Sequence, residues 1–160
     1  MIEMPLEHSV EEILQKLDWN ASSKQQQEGL ALAEKQEDLW WFMQPCSPKY
    51  GKNVWDNCAL IVSKRSDEEL APYFVPLLTW LQDANWPGFF TIFERLRQVH
   101  FQKLKPAFCY CVMQAIEQKD EMWLIYLSGF LKENTVRESL STWMGSLLYP
   151  YYQEFQNFDF

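Results

Sequence analysis

The chain has 160 residues, enough for one domain or one compact array of repeats, and its 48% hydrophobic and 16% aromatic content can bury a sizeable core, which excludes a disordered polymer. Fourteen Lys and Arg against 22 Asp and Glu give a formal net charge of −8. A duplex-binding protein needs a basic face to displace counterions, so this balance argues against nucleic acid and for a basic partner. The apolar runs are far too short to span a bilayer, and no signal segment is recognisable. Cys46, Cys58, Cys109 and Cys111 form neither a CxxC nor a paired Cys/His cluster. They are expected to be reduced and mostly buried thiols of a cytoplasmic protein without metal or cofactor.

In chain order, Ser9-Val10-Glu11-Glu12 reads as a capping box ahead of a short amphipathic helix carrying Val10, Ile13, Leu14 and Leu17. Ser22 and Ser23 can cap a second helix over about 24–34, with Leu30, Leu32 and Ala33 on its apolar side. Residues 37–43 (EDLWWFM) predict a short third helix, ended before Pro45. Adjacent Trp40 and Trp41 lie about 100° apart on a helix, so burying both needs wide cover. Core packing is the favoured reading, and partner contact is the alternative. Residues 46–52 are loop-like, and 53–64 place Val54, Cys58, Ile61 and Val62 at helical spacing.

Ser66-Asp67-Glu68-Glu69 is a second capping box, opening the stretch that organises the chain. Leu70, Phe74, Leu77, Leu78 and Leu81 form one apolar helical stripe, interrupted by Pro76, where an interior proline predicts a kink. Asp83-Ala84-Asn85-Trp86-Pro87 breaks the period, with Asn85 suited to a left-handed helix end and Pro87 to the first turn of the next helix. Phe89, Ile92, Phe93, Leu96 and Val99 then resume it, so 70–101 predicts a helical hairpin with Trp86 buried at its turn. Pro106 is expected to open a helix to about Glu117, and 120–132 to form the next. Thr135-Val136-Arg137-Glu138 reads as a third capping box for a last helix that Pro150 ends. No stretch shows the period-two alternation of strands, so the class is all-α.

Trp19, Trp55, Trp86 and Trp123 each stand near the start of a helix pair, at spacings in the mid-thirties. Stacked helix-turn-helix units have such a period. The tetratricopeptide signature is absent, and a HEAT-like α-α superhelix of stacked helical hairpins fits best, forming a single domain over 1–160.

The segment Leu77-Leu78-Thr79-Trp80-Leu81-Gln82-Asp83-Ala84-Asn85-Trp86-Pro87, with SDEEL at 66–70 ahead of it, resembles the core of a bacterial family known as domain of unknown function 5071. The resemblance covers about 53–117, leaving residues 1–52 as N-terminal helices outside it and 118–160 as a C-terminal hairpin with an aromatic tail. It implies a short HEAT/armadillo-type helical protein, associated with protein binding or toxin immunity, and brings no catalytic residues.

No catalytic constellation stands out. His8 and His100 are isolated, and there is neither a Gly-rich phosphate loop nor an HExxH. Asp83 beside Trp86 is the one carboxylate next to an aromatic wall. Its local reading is a turn acid, and its functional one is a glycosylase-type catalytic acid. Arg95, Arg97, Lys103 and Lys105 form the only basic island, read first as a solvated face and linker at a helix C-terminus and second as a small docking site for a carboxylate-rich segment. Tyr149-Pro150-Tyr151-Tyr152 with Phe155, Phe158 and Phe160 form an aromatic tail, read first as a cap on the open core and second as interface anchors. The expectation is therefore a non-enzymatic interaction module, an immunity protein for a basic toxin being one form of it. Trp40, Trp41, Asp83, Trp86, Tyr151 and Tyr152 are its candidate contact residues. A HEAT-like DNA glycosylase and a structural homodimer joined through the tail are the alternatives.

Overall fold

The computed structural model describes residues 6–46 and 50–158, with side chains from Val10 onward in the first span. Among these residues every regular element is a helix, so the chain is all-α. Phe160 lies outside the described residues, as does the side chain of His8.

Helix α1 (Leu6–Lys16) is already under way before Ser9, so Ser9 is not its N-cap. Val10, Ile13, Leu14 and Leu17 are buried, as the period requires. Helix α2 (Ser23–Ala33) begins where its cap predicts: Ser22 Oγ accepts from the Gln25 N–H, and Gln25 Oε1 accepts from the Ser22 N–H. Leu32, read as part of its apolar side, is exposed, while Gly29 and Ala33 are buried. Over 37–43 the chain makes a 3-10 turn, Leu39–Phe42, in place of an α-helix, with Asp38 as its cap. At three residues per turn, Leu39 and Phe42 eclipse and are both buried, which leaves Trp40 facing outward.

Helix α3 (Trp55–Ser63) buries Cys58, Ile61 and Val62 as expected, with Trp55 and Ala59 besides. Helix α4 (Asp67–Leu70) carries the predicted Ser66–Glu69 capping box. The single helix expected over 70–81 is instead broken into α4, a 3-10 turn Ala71–Tyr73, helix α5 (Phe74–Thr79) and a 3-10 turn Trp80–Gln82. Pro76 is the third residue of α5, in the first turn, where no intrahelical donor is needed; it helps start a helix and does not kink a long one.

The next turn also departs from expectation. Its left-handed residue is Gly88 (φ 87°), not Asn85, and helix α6 (Phe89–Arg97) begins after Pro87. Helix α7 (Phe101–Glu117) starts ahead of Pro106 and runs through it. Helix α8 (Glu121–Ser128), capped by Asp120, continues as a 3-10 turn, Gly129–Lys132. The last segment is two helices: α9 (Asn134–Ser139), which contains Thr135, and α10 (Thr142–Phe155), capped by Ser141 and running through Pro150. Both interior prolines deprive an exposed position four residues earlier, Gln102 or Ser146, of its helical donor. Solvent can satisfy those carbonyls, which makes the prolines tolerable.

Helices α2, α3, α6 and α8 run side by side in one direction. Near the starts of α2 and α3, Asn57 Nδ2 donates to Gln26 Oε1, and at their ends Arg65 donates to the Glu34 carbonyl, in both cases across 31 positions. Trp55 meets Trp86 just ahead of α6, and Arg95 at the end of α6 donates to the Ser63 carbonyl. Phe89 meets Tyr126, Phe93 stacks on Phe130, and Arg97 pairs with Glu133, which sets α6 on α8 in a constant register. Behind this row, Leu39–Phe42, the α4–α5 segment and α7 form a second. Tyr73 donates to Asp38 Oδ1, and Lys103 pairs with Glu68, each across 35 positions. Since α7 returns from the end of α6 to the start of α8, the second row runs opposite to the first. Trp123 Nε1 donates to the Leu78 carbonyl and links the rows. Fully buried Trp80, Phe89, Phe108 and Phe130 fill the space between them. Finally, α10 turns back along α8: Phe155 lies at Gly129 and Phe158 at Tyr126.

Candidate binding surface

The two-row arrangement creates two contrasting edges. At one, the first-row helices end, and all four arginines of the chain are engaged there. Arg65 donates to the Ala33, Glu34 and Gln36 carbonyls and pairs with Glu69. Arg95 donates to the Ser63 and Arg65 carbonyls and to Asp67 Oδ1 at 2.7 Å. Arg97 bridges Glu94 and Glu133, and Arg137 donates to the Leu131 and Lys132 carbonyls. Arg65, Arg95 and Arg137 thus cap orphan carbonyls at segment ends, where the helix dipole also favours a cation, whereas Arg97 bonds only carboxylates. Of the island read as a solvated basic face, Arg95, Arg97 and Lys105, which donates to the Ser139 carbonyl, are tied as staples to neighbouring segments, while Lys103 is solvated in a surface pair with Glu68. Hydrogen bonds to Glu133 and Glu94 hold Arg97 firmly charged against some burial, and hydrogen bonding from Arg65 sets the Glu69 carboxyl below its usual range.

At the opposite edge lie the turns that lead into the first-row helices. The contacts are continuous along it: the Trp19 N–H donates to the Asn53 carbonyl, Trp55 packs edge-on against Trp86 with ring centroids 5.5 Å apart, and Tyr126 hydrogen-bonds the backbone of Ala84. This edge carries Asp18, Asp56, Asp83, Glu117, Asp120 and Glu121. None of the six forms an ion pair among the described residues. Lys24, Lys52 and Lys119 are the cations beside them, and Lys52 sits over the Trp55 ring. Trp19 is 49% exposed and Met122 43%.

Asp83 and Trp86 are brought to this edge together. Asp83 Oδ1 accepts from the Asn85 N–H at 2.8 Å, which is the turn role. Trp86 is half-buried, a correction to its expected full burial, because it covers Trp55 from one side only; the fully buried tryptophan of the turn is Trp80, whose Nε1 donates to the Pro87 carbonyl. Trp40 and Trp41 lie elsewhere, the first exposed on the second row and the second half-buried. Core packing, the favoured reading for both, therefore fails for Trp40.

Tyr151 and Tyr152 belong to α10 and are half-buried. Tyr152 stacks with Phe155 and lines a groove of about 600 Å³ between α6 and α10, together with Phe90, Phe93, Arg97 and Lys132. Phe155 approaches Gly129 so closely that a Cβ there would lie 2.6 Å from its ring. Phe155 packs on Phe93 and Phe158 meets Tyr126 while staying 39% exposed, so the tail lies against the chain on one side and faces solvent on the other. Sequence reasoning missed the staples and the exposed outer stripe of α7, Pro106, Tyr110 and Met113, although their i, i+4, i+7 spacing is visible in the sequence.

The four thiols are free, two buried and two half-buried. Burial raises all four, Cys111 to about 12, which leaves them protonated and weakly nucleophilic at neutral pH. Among the described residues no three His, Cys, Asp or Glu side chains converge as metal ligands, and no helix is long and apolar enough to cross a membrane.

Residues 52–151, from the turn before α3 into α10, match the family model described as a domain of unknown function (DUF5071). No curated protein and no solved structure matches the chain. The match reaches well past the 53–117 stretch that carries the resemblance, taking in the last first-row helix, α8, with its partner α9. It covers more than half of the chain, which therefore belongs to the DUF5071 family.

Proposed function

We propose that the protein is a non-enzymatic interaction module, a HEAT-like α-α superhelix that binds a basic protein in the bacterial cytoplasm. The observation that carries this reading is the division of charge: every arginine is engaged within the fold, while six carboxylates that form no ion pair among the described residues line the turn edge beside exposed Trp19 and Met122. In a chain of net charge −8, that edge attracts positive partners. The in-register rows, offset by 31 to 37 positions, support the stacked-hairpin reading. An immunity protein that covers a basic toxin is the physiological form we favour. The glycosylase alternative needs a basic groove and a free Asp83; here the arginines are engaged and Asp83 holds its own turn. The homodimer through the tail keeps exposed Phe158 and Tyr149 as contacts, but Phe155 packs on Phe93 within the chain and is not free for it.

The test is affinity capture from the host, followed by binding kinetics with the captured protein. A basic partner is expected, with association slowing steeply as salt rises and with Asp18→Asn/Asp83→Asn/Glu121→Gln slowing association at low salt. An acidic partner, a nucleic acid, or salt-independent association would overturn the proposal.

A further inference from the structure

We infer that the outer face of the second row, centred on Tyr110 and Met113, is the docking surface for a basic amphipathic helix of the partner. This rests on the binding reading above and adds the face and the shape of what it binds. Residues 70–82 and 106–116, which form most of α5 and α7 with their flanks, contain no charged side chain. Helix α7 buries Leu104, Phe108, Cys111, Val112 and Ala115 on its inner side. Its outer side is apolar as well: Tyr110 is 53% exposed and Met113 47%, with Pro106 exposed one turn before. A helix apolar on both sides calls for a second cover. The 35-position register of the second row places half-buried Val75 and exposed Trp40 at positions equivalent to Tyr110, so the apolar strip crosses three successive units.

The rim of the face identifies its occupant. At the turn edge α5 runs into Asp83, and α7 runs into Glu117, Asp120 and Glu121, with Lys119 the one cation between. A second copy would bring these carboxylates and a second −8 charge against the first. A helix with apolar residues at i, i+3, i+4 and i+7 and lysines on its flanks would cover the strip and meet the acids.

The experiment uses fluorescent peptides of about 18 residues against the intact chain at physiological salt, read by anisotropy. One has leucines on one helical face and lysines on the other, one replaces leucine by serine, and one replaces lysine by glutamate. The Leu/Lys peptide should bind at least about tenfold tighter than the Ser/Lys peptide, and the Leu/Glu peptide should not bind. Tyr110→Ser with Met113→Ser should weaken the Leu/Lys complex by about tenfold or more, whereas Trp143→Ser, at an equally exposed position on α10, should leave it unchanged. Circular dichroism checks that the variants stay folded. If the Ser/Lys peptide binds as tightly, or if the Tyr110/Met113 pair changes nothing, this face is refuted while the basic-partner reading stands. If neither lysine peptide binds, both are refuted. Light scattering should give a monomer; a dimer that the Tyr110/Met113 pair dissociates would make a second copy the occupant and overturn the inference.

Discussion

Arg95→Met tests the idea that arginines staple successive units. The side chain is 13% exposed, and its guanidinium donates to the Ser63 carbonyl at 3.0 Å, the Arg65 carbonyl at 2.8 Å and Asp67 Oδ1 at 2.7 Å. Methionine keeps most of the apolar stem and removes only the charge and its donors. A hydrogen bond to a charged group contributes about 1.5–3 kcal/mol when buried, and breaking a largely buried pair costs about 3–5 kcal/mol in all. Solvent reaches Asp67, which is 26% exposed, and discounts that arm. A loss of about 3 kcal/mol follows, equivalent to about 6–12 °C in Tm for a chain of this size. Urea unfolding followed by circular dichroism measures it. Asp67→Asn should cause only part of that loss, because the two carbonyl bonds survive it, and Lys64→Met at the exposed neighbour should stay within about 0.5 kcal/mol of the wild type. If Arg95→Met and Lys64→Met lie together, the carbonyls are solvated equally well without the guanidinium and the staple is not a source of stability.

Two glycines should respond with opposite signs. At Gly88 (φ 87°) a Cβ would lie 2.8 Å from Ala59 Cβ and 2.9 Å from Trp80 Cζ2, so Gly88→Ala should destabilise by about 2–5 kcal/mol. At Gly145, where a Cβ meets nothing within 4 Å inside α10, alanine should stabilise by about 0.5–1 kcal/mol; equal denaturation midpoints for the two variants would contradict the geometry. With Ellman's reagent near neutral pH, half-buried Cys46 and Cys109 should react slowly and buried Cys58 and Cys111 only on unfolding, and rapid labelling of all four in the native protein would refute the placement. Glu69 is held below its usual range by Arg65, and Glu68 by a backbone hydrogen bond and then Lys103. Their folded pKa values lie below the unfolded ones, so their contribution is present above the ordinary glutamate range and lost as pH falls through the lowered values. Glu69→Gln, which keeps a capping side chain, should therefore flatten the acid limb of a Tm–pH profile, and an unchanged slope would refute the coupling.

Features set by a few adjacent residues were legible in the sequence. The caps at Ser22 and Ser66 form as read, and the Trp86–Trp123 spacing of 37 equals the Phe89–Tyr126 offset, whereas the Trp19–Trp55 spacing of 36 differs from the 31-position offset of α2 and α3. Where the reading failed, a pattern had two physical solutions. An S-x-x-E run also occurs inside a helix, as with Ser9 and Thr135, because the pattern does not say whether its first residue is extended. Proline ends a helix only if the carbonyl four residues back cannot find water, and at Pro106 and Pro150 that position is exposed. The 3-10 geometry at Leu39–Phe42, which decides the fate of Trp40, depends on packing against α3 and leaves no period of its own. Arginine staples join residues about 30 positions apart, and only their placement near helix ends hints at them.

The same arrangement explains why the acids of the turn edge remain available. Within a row the helix dipoles are aligned, which is unfavourable and draws acids to helix starts and arginines to helix ends. Between rows they oppose, so at the turn edge the starts of α6 and α8 stand beside the ends of α5 and α7, and their roughly half-unit terminal charges largely cancel. Asp18, Asp83 and Asp120 each accept one backbone N–H, and three lysines against six acids still leave that edge negative. At the staple edge Asp67, Glu68, Glu69, Glu94 and Glu133 are each paired with a Lys or Arg, which offsets their charge there. Exposed charge of this kind acts over ~8–10 Å in physiological salt, which accelerates encounter and holds little once the partner is bound. Retention must then come from desolvated apolar contact, and the uncharged strip from Trp40 to Tyr110 and Met113 adjoins that edge. Salt should accordingly change the rate at which a partner arrives, and loss of Tyr110 and Met113 the rate at which it leaves.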